Sequence, residues 1–281
     1  MTKPSIQLMT HLVAGYPSML ECERLAETMI ESGVSFLEIQ IPFSDPVADG
    51  PTIEAANHKA LEQGVTPDDA MALMQRLRRK TSIPLLFMSY YNILFRYGLE
   101  AFCKKAKSVG CYGLIIPDMP IDEEPYEHYL ELCRTYQLHP IQVISPLTPV
   151  SRLKKIGKVA SGFVYAVASF SITGEQQNAY PQLETYLKRV RRYVSVPIAV
   201  GFGFSQKEQV QKAAQFADIV VMGSKIINLY NQAPRGKGVE EVRVFLDEIL
   251  NKDKREGRIF VQMGAKRLAD PQSRVEGRRV L

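Results

Sequence analysis

Two carboxylates near the end of one β-rich run are the first residues in this sequence whose types and spacing could do chemistry. The run Phe36-Leu37-Glu38-Ile39-Gln40-Ile41 alternates, placing Phe36, Glu38 and Gln40 on one face and Leu37, Ile39 and Ile41 on the other. The all-aliphatic face belongs against helices, which turns Glu38 inward. Burial raises a carboxylate's proton affinity toward the range where it can move protons at neutral pH. A Glu hydrogen-bonded in a polar interior layer, with no catalytic part, fits the same pattern. The segment that follows, Ser44-Asp45-Pro46-Val47-Ala48-Asp49-Gly50-Pro51, adds Asp45 and Asp49 on a chain stiffened by prolines 42, 46 and 51. Converging carboxylates commonly run acid and base steps together. Taken singly, each loop Asp reads first as turn chemistry.

A second constellation suits an anion. Gly201-Phe202-Gly203-Phe204 follows one β-rich run, and Met222-Gly223-Ser224 follows the next and enters a short helix. Glycines let backbone N–H groups approach a phosphate, and a helix N-terminus favours negative charge. Simple tight turning is the competing explanation. Tyr165 and the pair Thr173-Gly174 form a third group. The tyrosine could be core or ligand, and Thr-Gly could contact phosphate, latch a lid or merely bend the chain.

These residues must be carried by elements, and the elements have a rhythm. β-rich runs lie near residues 6–13, 36–41, 84–89, 113–116, 140–145, 162–167, 197–200 and 218–222. Amphipathic helical patterns fall between them, among them 19–32, 99–109, 122–136 and 180–193, and a last helix covers 238–250. Eight strands, each followed by a helix, predict a single α/β domain, a (β/α)8 TIM barrel over residues 1–250. Near-continuous apolar runs such as Asp218-Ile219-Val220-Val221-Met222 suit parallel strands buried on both faces. A doubly wound open sheet is the competitor, but no GxGxxG follows the first strand. Two connections are long, 42–53 after strand 2 and 169–181 after strand 6, on the side of a barrel where active sites are built.

Composition narrows the function classes. The net charge of +5 resides in residues 251–281, which hold nine Lys/Arg and four Asp/Glu; the first 250 residues balance. The basicity is that of a C-terminal extension and not of a nucleic-acid-binding face, so no nucleic-acid partner is expected. No apolar stretch approaches the roughly 18 residues of a spanning helix, and the N-terminus carries no signal-peptide pattern, so no membrane association is expected. Cys22, Cys103, Cys111 and Cys133 form no CxxC, and His11, His58, His128 and His139 form no HxH or HExxH. Reduced thiols in a cytoplasmic protein without a metal are the expectation.

The segments LEIQIPFSDPVADGPTI, LIIPDMPIDEE, SITG, GFGF and MGS, in that order, together with AGYP and MSYYN, resemble the tryptophan synthase alpha subunit family over about residues 5–250. The resemblance implies retro-aldol cleavage of indole-3-glycerol phosphate to indole and glyceraldehyde 3-phosphate. It implies no cofactor in this chain, and a PLP-dependent β subunit as partner in an αββα assembly. Matched by position, Glu38 is the acid/base glutamate, Asp49 the aspartate facing the indole N–H, and Tyr165 the strand-6 tyrosine near the glutamate. Gly174, Gly203, Gly223 and Ser224 match phosphate contacts. Asp45, Asn92 and Thr173 match positions of loop signalling and coupling to the partner.

The departures from the family cluster around the pocket. Strand 1 reads His11-Leu12-Val13 where an aromatic and a Thr are common, and Ile39-Gln40 stands where Leu-Gly usually follows the glutamate. Gln40 is expected to occupy pocket volume or hydrogen-bond Glu38. Ala168-Ser169-Phe170-Ser171 replaces Ser-Arg-x-Gly ahead of Thr173. Two readings of different class follow: an active lyase with a reshaped pocket, or an alpha subunit weak or silent as a lyase that mainly activates the β subunit. Some other phosphosugar barrel is a third.

Overall fold

Eight parallel strands close into a barrel in sequence order, the first pairing with both the second and the eighth. The computed structural model describes residues 7–168, 176–201 and 203–250. β1 (Gln7–Val13), α1 (Met19–Glu31) and β2 (Phe36–Gln40) are followed by α2 (Pro51–Glu62), α3 (Pro67–Arg78) and β3 (Leu85–Met88). Then come α4 (Tyr91–Tyr97), α5 (Leu99–Ser108), β4 (Gly113–Ile115), a 3-10 turn (Ile121–Glu123), α6 (Glu124–Glu127), α7 (Tyr129–Thr135) and β5 (His139–Ile144). The circuit ends with α8 (Val150–Val159), β6 (Val164–Val167), α9 (Gln176–Arg191), β7 (Ile198–Gly201), α10 (Lys207–Ala213), β8 (Ile219–Met222), α11 (Ser224–Gln232) and α12 (Gly238–Ile249). The predicted TIM barrel is the observed fold, and all eight predicted strands are present.

Period-two alternation sorts the strand residues into two nested cores. Met9, Leu86, Met88, Ile115, Ile141, Phe163, Ala199, Ile219 and Val221 fill the barrel interior, with Phe36 and Tyr165 packed on them. Leu8, Leu12, Leu37, Ile39, Ile41 and Val220 point outward into the layer beneath the helices. Truncating such a residue to Ala costs about 2–5 kcal/mol, so the inward setting of Glu38 is held by its outward neighbours.

Local chemistry starts the helices. Ser18 accepts from the Glu21 N–H ahead of α1, and Thr66 and Asp69 form a capping box at α3 with Pro67 in the first turn. Three boundaries correct the sequence expectation. The connection after β2 is shorter than residues 42–53, because Pro51 already opens α2. The predicted connection 169–181 is overlapped by α9 from Gln176, with Pro181 inside that helix. The helix predicted over 122–136 is broken at His128, whose φ of 53° is left-handed. The Glu124 carboxylate accepts from the Leu130 and Glu131 N–H groups at the start of α7, so the break leaves the new helix end capped.

After β8, α12 lies against α1 and α11, burying Val242, Leu246 and Ile249. The proposed extension 251–281 lies outside the described residues. No helix among the described residues is long and apolar enough to cross a membrane. The four cysteines are buried and unbridged.

Candidate active site

A cavity of about 330 Å³ opens at the C-terminal ends of the strands, lined by Glu38 and Asp49 together with Gly203, Gly223 and Ser224. Strand register places Glu38 opposite His11 on β1 and Leu86 on β3. Glu38 is 3% exposed and His11 5% exposed. The imidazole Nδ1 stands 3.2 Å from Glu38 Oε1, while Glu38 Oε2 is buried without a hydrogen-bond partner. Burial alone would push the His11 imidazole down; the Glu38 carboxylate outweighs that, with Asp49 and Gln40 adding, so it sits above the ordinary 6.5.

Asp49 reaches the same cavity from the segment after β2. Gln40 Nε2 donates to its Oδ2 at 2.6 Å and the Tyr90 hydroxyl donates to the same oxygen at 3.0 Å. Tyr90 Oη also accepts the Ala48 N–H at 3.1 Å, and Phe43 stacks on the Tyr90 ring with centroids 5.1 Å apart. One buried phenol therefore fixes the loop that presents the carboxylate. Burial raises the Asp49 proton affinity above the ordinary 3.8, against His11, Gln40 and Tyr90, which favour its charged form.

Tyr165 points from β6 into the cavity. Burial, with Glu38 and Asp49 nearby, pushes its phenol well above the ordinary value, which keeps it a hydrogen-bond donor at neutral pH. A Cβ on Gly201 would lie 2.9 Å from the Tyr165 hydroxyl, so glycine there makes room for the phenol.

The turns after β7 and β8 have the character of an anion site. Gly203 takes a positive φ of 67°, and Gly223 precedes Ser224 at the N-terminus of α11. The first-turn N–H groups of a helix have no intrahelical acceptor and face a favourable dipole for a phosphate. Ser205 and Lys225 also line the cavity.

Of the sequence-derived candidates, Glu38, Asp49, Tyr165, Gly203, Gly223 and Ser224 meet at one cavity. Thr173 and Gly174 lie outside the described residues. Asp45 and Asn92 do not reach the cavity: both are exposed, and Asn92 lines a separate hollow with Phe43, Pro67, Ile93, Arg96 and Tyr97. Gln40 corrects its expectation, since its amide bonds Asp49 rather than Glu38 and does not line the cavity. The sequence reading gave Tyr90 no role, although it stands within the quoted MSYYN segment. Its one signal is a tyrosine just past the end of β3, where the site of a barrel is built. Among the described residues, no group of three or more His, Cys, Asp and Glu is placed to hold a metal ion.

The sequence model of one family, described as tryptophan synthase alpha chain, matches residues 1–253. The tryptophan synthase alpha chain of Desulfotalea psychrophila is 40% identical over 234 residues, covering 83% of this chain and 91% of that one. A tryptophan synthase structure from Mycobacterium tuberculosis superposes with a TM-score of 0.79 at 30% identity, covering 88% of this chain and 92% of that one. A chain of the tryptophan synthase complex from Pyrococcus furiosus gives the same TM-score, 0.79, at 30% identity, covering 88% and 98%.

Proposed function

Since this chain belongs to the tryptophan synthase alpha chain family, a lyase family of tryptophan biosynthesis, we propose that its barrel cleaves indole-3-glycerol phosphate to indole and glyceraldehyde 3-phosphate. The observation that carries this reading is the placement of Glu38 and Asp49 in one cavity with the Gly203 and Gly223–Ser224 turns.

The chemistry assigns each group a task. The two turns, with the Ser224 end of α11, bind the phosphate and anchor the glycerol chain. Glu38 delivers a proton to indole C3, which dearomatises the ring and places positive charge on the indole nitrogen. Asp49, facing that N–H, stabilises the charge. The carboxylate left on Glu38 takes the proton from the hydroxyl on the carbon attached to indole C3. The bond between that carbon and the ring breaks, its electron pair restores the aromatic indole, and the carbonyl of glyceraldehyde 3-phosphate forms. The proton lost from the hydroxyl replaces the one delivered to C3, so no net proton is consumed. Tyr165 donates into the same space. Gly174 and Thr173 are proposed as a phosphate contact and a coupling position.

We assign no cofactor to this chain and place it in the cytoplasm, with a PLP-containing β subunit receiving the indole in an αββα assembly. Asp45, exposed on the segment after β2, and Asn92, exposed at the hollow with Phe43 and Ile93, are proposed to face that partner. Indole release from indole-3-glycerol phosphate that Glu38→Gln suppresses about a hundredfold tests the reading; undiminished release from the variant contradicts it. One observation favours a second reading, a subunit that mainly activates its partner: Gln40 and Tyr90 both occupy Asp49 Oδ2.

A further inference from the structure

His11 contacts Glu38 and lies within the field of Asp49, with more hydrogen-bonding capacity than a packing residue needs. Nδ1 meets Glu38 Oε1 at 3.2 Å. Nε2 is buried without a partner, and so is Gln40 Oε1. Gln40 cannot reverse its amide without placing its oxygen against the Asp49 carboxylate, which only accepts. The bond from Nε2 of Gln40 to Asp49 therefore fixes Oε1 as an acceptor. The carboxylate at Nδ1 and the neighbouring Gln40, whose oxygen can only accept, both favour the charged ring, and they suit an imidazole with both nitrogens protonated better than the neutral ring, which offers one donor and one lone pair.

Charge leads to the same conclusion. Two carboxylates on one cavity, Glu38 fully buried, strongly favour a nearby cation. The side chains facing His11 are Glu38 and Gln40 from β2, with Asp49 beyond Gln40. On the other side β8 is uncharged (Ile219 to Met222), and the Gly223 turn adds only backbone. The cavity's remaining titratable groups are Tyr165 and Lys225.

We infer that His11 is a positioning residue of this site: as an imidazolium it holds Glu38 through Nδ1 beside the Gln40 side chain that ties Asp49, so that the two carboxylates and one proton form an electrostatically linked set. The inference deepens the proposed lyase reading and rests on Glu38 and Asp49 as its working groups. Functionally, the link fixes the Glu38 side chain toward the cavity and ties its exchange between acid and base to the proton carried by His11.

The test reads the proton directly and needs no turnover. His-labelled full-length protein is titrated by NMR, following imidazole Cε1–H shifts, with the His11 signal assigned by its loss in His11→Asn. The midpoint is expected above 6.5 in the parent chain. It should fall by about a unit or more in Glu38→Gln and by less in Asp49→Asn. A His11 midpoint that stays put in Glu38→Gln overturns the inference. If that variant does not fold, Gln40→Leu gives the second reading: loss of the link lowers the midpoint, and an unchanged midpoint overturns the inference. Where lyase turnover is measurable, the acid limb of kcat/KM should move in His11→Asn, while a mere packing role would leave the limb in place and scale the whole profile. Titration linked to Glu38 in a chain that releases no indole would uphold the positioning role and refute the lyase reading, so the two claims fail separately.

Discussion

Gln40 Nε2 lies 2.6 Å from Asp49 Oδ2, so a residue two positions beyond Glu38 on the same strand ties down the second carboxylate of the site. The glutamine is fully buried and does not line the cavity. It acts as a tether for Asp49 and does not crowd the substrate.

Gln40→Gly therefore lowers lyase turnover. A hydrogen bond to a charged group contributes about 1.5–3 kcal/mol, which sets a loss of about tenfold or more in kcat/KM. Steady-state kinetics on indole-3-glycerol phosphate read this directly, and a faster glycine variant would restore the crowding explanation.

Tyr90→Phe removes one hydroxyl that serves both Ala48 and Asp49. The ring stack with Phe43 survives, so the loss is polar. The expected outcome is a stability drop of about 1–2 kcal/mol by denaturant unfolding, with a raised KM from a loosened loop. Wild-type stability and KM in the variant would remove Tyr90 from the anchoring role.

Gly201→Ala tests whether Tyr165 belongs to the chemistry. The new methyl would press on the phenol hydroxyl at 2.9 Å, the free end of a side chain that can swing aside. Stability changes little, whereas turnover falls severalfold. Retained turnover alongside a displaced Tyr165 would show that the phenol is scaffold.

Stability should carry the signature of His11 with a defined sign. Its folded pKa is raised above the ordinary 6.5, so the native state binds that proton more tightly than the unfolded chain. The resulting stabilisation is fully present below about 6.5 and is lost as pH rises through the raised folded value. The melting temperature of the parent chain, compared with His11→Asn, should show an advantage at pH 6 that shrinks by pH 9. An advantage that grows with pH would contradict the assignment.

Truncation separates barrel from extension. Ending the chain after Leu250 is expected to leave the melting temperature unchanged within a few degrees. Ending it before Gly238 removes α12 and exposes the face of α1 and α11 covered by Val242, Leu246 and Ile249, which should unfold the domain. Equal melting temperatures for the two truncations would overturn the boundary.

The barrel was legible because its signals are local and repeated. Aliphatic runs such as Ile219–Met222 and the alternation of Phe36 to Gln40 need only neighbours in sequence to be read. Glu38, Asp49 and the glycine turns were legible for the same reason, since strand ends and their loops carry the site in this fold. Partnerships across strands were not. That Gln40 bonds Asp49, or that Tyr90 serves a loop some forty residues earlier, depends on register and rotamer, which a single strand does not encode. His11 faces Glu38 only because β1 pairs with β2 in that register. The break at His128 was hidden as well, because residues 122–136 keep an amphipathic pattern while the Glu124 side chain caps a second helix.

The central claim is that this barrel is a working lyase. Indole release from indole-3-glycerol phosphate, measured with and without the cognate β subunit and alongside tryptophan formation from serine and added indole, tests it most directly. The account predicts indole release by this chain that the β subunit enhances. No indole release in either mixture, with tryptophan formation from added indole still stimulated, would contradict it and leave the chain as an activator of its partner.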